Sequence, residues 1–259
     1  MVTNTDPVAV FDSGVGGISV LKELVKVLPH EDFIYFGDSA NAPYGSKTTK
    51  QVLDLTKEHV ERLIHRGAKA VVIACNTATS AAADELRRLH PELPIVGMEP
   101  ALKPAVFSGE YPKVLVMATP MTLSLEKFHR LLAKYRDEGE IHLLPCPGLA
   151  ARVEAGDLDG DGMESYLRDL LDDYIESSVD TIVLGCTHYP FVRPLIRKLM
   201  GENVKIMDGS VGTANELKRR LKTANLLNDD TNPGSVTFEN SRNTAEELAL
   251  CERLFKAEY

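Results

Sequence analysis

The same short phrase occurs twice in this chain. VVIACNTA (71–78) and IVLGCTHY (182–189) each run an apolar stretch into a small residue, a cysteine, and then a threonine or an Asn-Thr pair. Cys75 and Cys186 are 111 residues apart, and the apolar runs opening at Val8 and Val114 are 106 apart. A near-constant offset points to an internal duplication. Short apolar runs of this kind have no polar face to turn to water, so they read as parallel strands covered by helices on both sides. The duplication therefore predicts two similar α/β units.

The rest of the chain keeps the same alternation. Strands are expected at 8–11, 33–36, 70–74 and 94–97, again at 114–117, 141–144, 181–184 and 204–207, and once more at 235–238. Between them, Ile18, Leu21, Leu24 and Leu28 recur at helical spacing, and Thr48 with Gln51 forms a capping box that opens a helix. Further helices are expected after Cys75 to about residue 89, at 122–135, along Met163, Leu167, Leu170 and Tyr174, at 191–200, and in the tail at 214–222 and 244–255. The expected fold class is α/β, with two similar doubly wound parallel-sheet domains from the internal duplication. The helices after Asp208 fall outside the repeat and return to cover the first unit. The expected domains are 1–98 plus 209–259, and 99–208, with a linker near 97–103 and a second crossing near Asp208.

Composition narrows the partners. Apolar residues make up 44% and charged residues 26%, enough for a packed core. The net charge of −9 repels phosphate backbones, so nucleic acid is not the expected partner. A small anion is not excluded, because a pocket can be locally positive. The opening MVTNTDPVAVFDSG has neither a basic start nor a long apolar run, and no window reaches the length of a membrane span, so a cytoplasmic protein without a signal peptide or membrane partner is expected. Cys75, Cys146, Cys186 and Cys251 form no CxxC pair and read as free thiols.

In open parallel sheets, ligands bind beyond the carboxyl ends of the strands. Three such ends carry polar groups: Asp12-Ser13-Gly14, Cys75-Asn76-Thr77 and Cys186-Thr187-His188. A helix starting there offers free N–H groups that favour anions and thiolates. A lone cysteine in an apolar stretch is ordinarily a small core residue. Two at equivalent places of a duplicated fold are harder to read that way, whereas Cys146 and Cys251 lack such a setting and read as structural. Gly14-Val-Gly-Gly17 lacks the ending of a phosphate loop and reads as a tight turn beside a substrate carboxylate. Asp157–Gly162 matches the first half of a calcium loop, but Arg168 stands where its bidentate glutamate is required, so it reads as a solvated acidic turn.

Together these strand ends resemble the glutamate racemase family and, more loosely, the aspartate/glutamate racemase superfamily. The resemblance rests on FDSGVGG (11–17), GDSANAPYGSKT (37–48), ACNTATS (74–80), PALKPA (100–105), VEAG (153–156) and LGCTHYPF (184–191), in family order over about four-fifths of the chain. It implies that the two domains face each other across a cleft with the site between them, and that Cys75 and Cys186 are two catalytic bases, assisted by Asp12 and His188 respectively, with Glu154 at a further acidic position. It implies substrate binding by Asp12, Ser13, Pro43, Tyr44, Gly45, Asn76, Thr77, Thr187 and His188, with no cofactor and no metal. It also implies D-glutamate supply for bacterial peptidoglycan, and a homodimer is compatible with it. The segment 117–122 and Cys146–Ala150 depart from the family wording; Thr119 and Thr122 there remain available as polar contacts.

The chemistry asks for this arrangement. Racemisation removes a proton from one face of Cα and returns one to the other, which two opposed groups do best. Aspartate racemisation, or that of another amino acid, would use the same architecture. A cysteine hydrolase with His188 as base leaves the second cysteine unexplained. A zinc site from Cys75, Cys186 and His188 would draw its ligands from separate strand ends rather than a compact motif. A two-domain solute binder would need neither thiol.

Overall fold

The computed structural model describes residues 2–259. Its backbone is organised by two all-parallel sheets. The first contains β1 (Val8–Asp12), β2 (Phe33–Gly37), β3 (Ala70–Ile73), β4 (Ile95–Gly97) and β9 (Val236–Asn240), in the order β4-β3-β1-β2-β9. The second contains β5 (Lys113–Ala118), β6 (Glu140–Pro145), β7 (Thr181–Leu184) and β8 (Lys205–Asp208), in the order β6-β5-β7-β8. With β9 set aside the two orders are identical, β1 to β4 corresponding to β5 to β8.

Register carries the correspondence to single residues. Phe11 lies beside Ile73 in the first sheet and Met117 beside Leu184 in the second. The next peptide repeats the same bond: Ala74 N–H donates to Phe11 O at 2.8 Å and Gly185 N–H to Met117 O at 2.7 Å. Cys75 and Cys186 each come one residue later. The central strands β1, β3 and β7 are buried throughout, as their unbroken apolar runs require.

The helices follow their sequence signals, with informative exceptions. The capping box is formed: Gln51 N–H donates to Thr48 Oγ1 and Thr48 N–H to Gln51 Oε1 at the start of α2 (Thr49–His65). Helices α1 (Ile18–Val27), α3 (Asn76–Leu89), α8 (Asp161–Ile175), α10 (Ser210–Thr223) and α11 (Ala245–Lys256) fall where apolar spacing puts them. Leu21 and Leu24 of α1, Leu217 and Leu221 of α10, and Cys251 and Leu254 of α11 share one apolar cluster. Each fully buried leucine there contributes about 1.5–3 kcal/mol.

The stretch expected as one helix at 122–135 is two, α5 (Pro120–Ser124) and α6 (Glu126–Tyr135). Thr119 caps α5 and Pro120 starts it, while Leu125 adopts extended backbone and breaks the run. Two short helices carry too few apolar repeats to be foreseen: α4 (Leu102–Val106), starting at the end of the expected linker, and α7 (Leu149–Glu154), launched by Gly148 at φ +84°. The helix expected at 191–200 begins as a tighter 3-10 turn, Tyr189–Val192, before α9 (Arg193–Met200). The acidic stretch at 157–162 leads into the first turn of α8, with Asp157 paired to Arg152 at 2.9 Å. Among the described residues no helix is long and apolar enough to cross a membrane.

Candidate active site

The carboxyl ends of β1 and β7, from different sheets, are stitched together directly. Thr187 Oγ1 donates to Asp12 Oδ2 at 3.1 Å, and Ser19 Oγ donates to Thr187 O at 2.8 Å. A second seam joins α3 to α5, where the hydroxyls of Thr77 and Thr122 lie 3.1 Å apart. Both cysteines sit beside these seams and are nearly enclosed, at 6% exposure for Cys75 and 8% for Cys186.

Cys186 has a base partner and a carboxylate behind it. His188 Nδ1 is 3.5 Å from Cys186 Sγ, and His188 Nε2 meets Glu154 Oε1 at 2.5 Å. Burial opposes charge on Glu154, yet His188, the Val15 N–H and Ser39 hold its carboxyl below the ordinary range. An ionised carboxylate only accepts, so Nε2 is the donor and Nδ1 is left facing the sulfur. Burial likewise resists charging of His188, but Cys186 and Glu154 together hold it well above its ordinary value. Protonated, its Nδ1–H becomes a donor toward Cys186.

Cys75 lives in a different field. It caps α3 with extended backbone, and its Sγ accepts the Ala78 N–H at 3.4 Å. Burial and the nearby Asp12 charge push its thiol up to about 12, against the opposite pull of Ser13 and Ala78. Asp12 is itself fully buried, and burial raises it from 3.8 to about 6, partly offset by His188. Its Oδ1 accepts the Gly14 N–H at 3.1 Å. At Gly14 a Cβ would fall 1.9 Å from Glu154 Oε1, so only glycine lets this turn approach the carboxylate.

The remaining expected contacts are distributed around the thiols. Pro43, Tyr44 and Gly45 follow β2 in a turn whose Gly45 faces Thr119 across the cleft. A cavity of about 210 Å³ opens there between Pro43, Gly45, Thr119, Cys146 and Ala150. Asn76, the first residue of α3, is buried, and neither atom of its amide finds a partner among the described residues. Cys251 lies in the apolar core, whereas Cys146, nearly as buried, also lines the cleft wall. Two larger clefts of about 440 Å³ each, one at the crossings near Gly97 and Gly209 and one near Lys22 and Tyr259, contain no thiol. Among the described residues no three of His, Cys, Asp and Glu are placed to hold one metal ion.

Sequence reasoning missed several supporting residues. Asp38 is buried and accepts from Tyr44 OH at 2.7 Å and from Asn41 Nδ2 at 3.0 Å, with His59 Nε2 3.1 Å away. Ser39 donates to Glu154 Oε2 at 3.1 Å. The segment GDSANAPYGSKT contains both Asp38 and Ser39, but only its Pro-Tyr-Gly carries a local signal, and the role of the other two depends on distant partners. Asn240 Nδ2 donates to Ser39 Oγ at 2.9 Å, and nothing in the tail sequence signalled it.

Comparison with known proteins points to one family. Residues 14–217 match the family model for Asp/Glu/hydantoin racemases. The chain is 52% identical over 242 residues to a glutamate racemase of Clostridium novyi (strain NT), covering 93% of each. It is similar in structure to a glutamate racemase isoform from Bacillus anthracis, at TM-score 0.87 and 30% identity over 98% of this chain and 95% of that one. It also resembles the glutamate racemase of Francisella tularensis subsp. tularensis SCHU S4 solved in complex with D-glutamate, at TM-score 0.83 and 28% identity over 98% and 95%. The chain belongs to the Asp/Glu/hydantoin racemase family, among its glutamate racemases, and is an isomerase.

Proposed function

We propose that this enzyme interconverts L- and D-glutamate by a two-base proton transfer between Cys75 and Cys186, without pyridoxal phosphate or metal. The observation that carries the reading is that both thiols follow equivalent strands, at sheet ends bonded to each other, each with its own acid–base neighbourhood. One thiolate takes the Cα proton. The electron pair moves toward the substrate carboxylate, and the opposite thiol delivers a proton to the other face. For the other enantiomer the roles reverse.

Residues around the thiols have matching tasks. The unpartnered amide of Asn76, the Thr77 hydroxyl and the free N–H groups at the start of α3 suit the substrate carboxylate and the negative charge that grows on it. Ser13, Thr187 and the Pro43–Gly45 turn complete the binding surface. Asp12 attends Cys75, and His188 with Glu154 attends Cys186. The structure solved with D-glutamate supports the substrate, and the reading extends to a cytoplasmic enzyme supplying D-glutamate for peptidoglycan. We also take 1–98 plus 209–259 as one domain and 99–208 as the other; the seat of β9 beside β2 supports this division.

A chiral assay of purified protein with L-glutamate and L-aspartate, dialysed against a chelator and given no cofactor, tests the reading. Formation of D-glutamate at the higher specificity constant is expected. Activity lost on dialysis and restored by zinc would sink the metal-free mechanism, and a preference for aspartate would overturn the substrate.

A further inference from the structure

We infer that Ser39 and Asn240 are positioning residues for the Cys186 half of the reaction, holding Glu154, and through it His188, by a directional chain of hydrogen bonds. The inference rests on the two-thiol reading above. Four links make the chain: Asn240 Nδ2 to Ser39 Oγ at 2.9 Å, Ser39 Oγ to Glu154 Oε2 at 3.1 Å, Glu154 Oε1 to His188 Nε2, and His188 Nδ1 to Cys186 Sγ at 3.5 Å.

Its direction follows from donor and acceptor chemistry. The Arg242 N–H donates to Asn240 Oδ1 at 3.0 Å, which fixes the amide and turns Nδ2 toward Ser39. An amide nitrogen only donates, so Ser39 Oγ must accept there. A serine hydroxyl has one hydrogen, and with its acceptor side engaged that hydrogen is directed to Glu154 Oε2. Glu154 then has Oε2 held by Ser39 and Oε1 held by the Val15 N–H at 2.7 Å. Its plane is set, and with it the ring of His188. Ser39 is fully buried and Asn240 nearly so, so water does not readily replace a lost partner.

This chain touches only one thiol. Cys75 is attended by Asp12, Ser13 and Ala78, and the chain is linked to Asp12 at one remove through Thr187, whose Oγ1 lies 3.4 Å from His188 Nδ1 and donates to Asp12 Oδ2. The strand supplying Asn240 has no counterpart in the second sheet, so the duplicated halves are unequal at this point. Loss of Ser39 or Asn240 therefore slows proton transfer at Cys186 and spares Cys75.

Racemisation rates cannot resolve the two halves, because an equilibrium constant of one ties kcat/KM in the two directions together. One-sided elimination can. With β-chloroalanine, a thiolate removes the Cα proton, the C–Cl bond breaks, chloride leaves with its electron pair, and the aminoacrylate product takes up water to give pyruvate and ammonium. Cys75→Ser isolates the Cys186 reaction with one enantiomer, and Cys186→Ser isolates the Cys75 reaction with the other. Adding Ser39→Ala, Asn240→Ala or Asn240→Asp to Cys75→Ser is expected to lower pyruvate release about tenfold, the scale of one lost buried hydrogen bond. Asn240→Asp belongs with the others although it keeps the shape, because a carboxylate draws the Ser39 hydrogen away from Glu154. The same changes on Cys186→Ser are expected to leave elimination within about twofold. Equal losses in both backgrounds, with circular dichroism unchanged, would overturn the inference, as would no loss on Cys75→Ser. If the two single-thiol proteins show no opposite preference for the enantiomers, the two-thiol reading fails and the chain of influence falls with it.

Discussion

Replacing Asp12 by Asn tests whether the site is held at the expense of stability. The carboxyl is fully buried and raised from 3.8 to about 6, chiefly by burial. Below about pH 4 it is protonated folded or unfolded and contributes nothing. Between pH 4 and 6 the unfolded chain ionises first, so the folded state is penalised as pH rises. Above about pH 6 the penalty is complete, and a shift of this size is worth about 3 kcal/mol. Asn keeps both contacts: its oxygen can accept the Gly14 N–H, and its nitrogen can face Thr187 Oγ1. The variant is therefore expected to be more stable than the parent by about 3 kcal/mol at pH 8, roughly 6–9 °C in Tm, and no more stable at pH 3.5. Turnover should fall about 100-fold, the scale of a lost acid–base group. Denaturant unfolding of both proteins across pH 3.5–8 reads the difference. A gain that does not change with pH, or a variant less stable at pH 8, would refute the reasoning.

Other outcomes follow from the same structure. Cys75→Ala and Cys186→Ala should each abolish glutamate racemisation, while Cys146→Ala and Cys251→Ala should retain it if folded; near-parental racemisation by either of the first two contradicts the two-base mechanism. Asn76→Ala should raise KM about tenfold with little change in Tm, because its amide has no partner to lose; steady-state kinetics beside a thermal melt decide it. Lys69→Met should cost about 3–5 kcal/mol and leave kcat unaltered, since it strands the buried Oε2 of Glu31, 2.5 Å from the Lys69 ammonium, at the end of β3 opposite to Cys75; equilibrium unfolding with an activity assay checks both halves.

The parts of the fold legible in sequence are those with one dominant local cause. The central strands announce themselves because burial on both faces forces an unbroken apolar run, and α2 announces itself through Thr48 and Gln51. The short helices α4 and α7 lack a full period of apolar residues, so their cause is tertiary. The break at Leu125 is a backbone choice that no side chain advertises. In the site, Cys75, Cys186, His188 and Asp12 stand at strand ends, where the duplication points. Ser39 and Asn240 act through partners at distant positions in the chain, and only folding reveals them.

The seat of β9 also shapes how the molecule is assembled on the ribosome. Strands β5 to β8 come from one continuous stretch, 113–208, and can pair as soon as that stretch has emerged. The first sheet begins earlier but stays open longer. Its strand β2 waits for β9, with Phe33 pairing to Val236, and α1 waits for α10 and α11 to cover its apolar side. Closing such a long loop is slow, and an exposed strand edge in the interval invites pairing with another nascent chain. The section synthesised first is thus the last to be sealed, and the same strand that seals it delivers Asn240 to the interior, so the connection to Glu154 is made only once the sheet is closed.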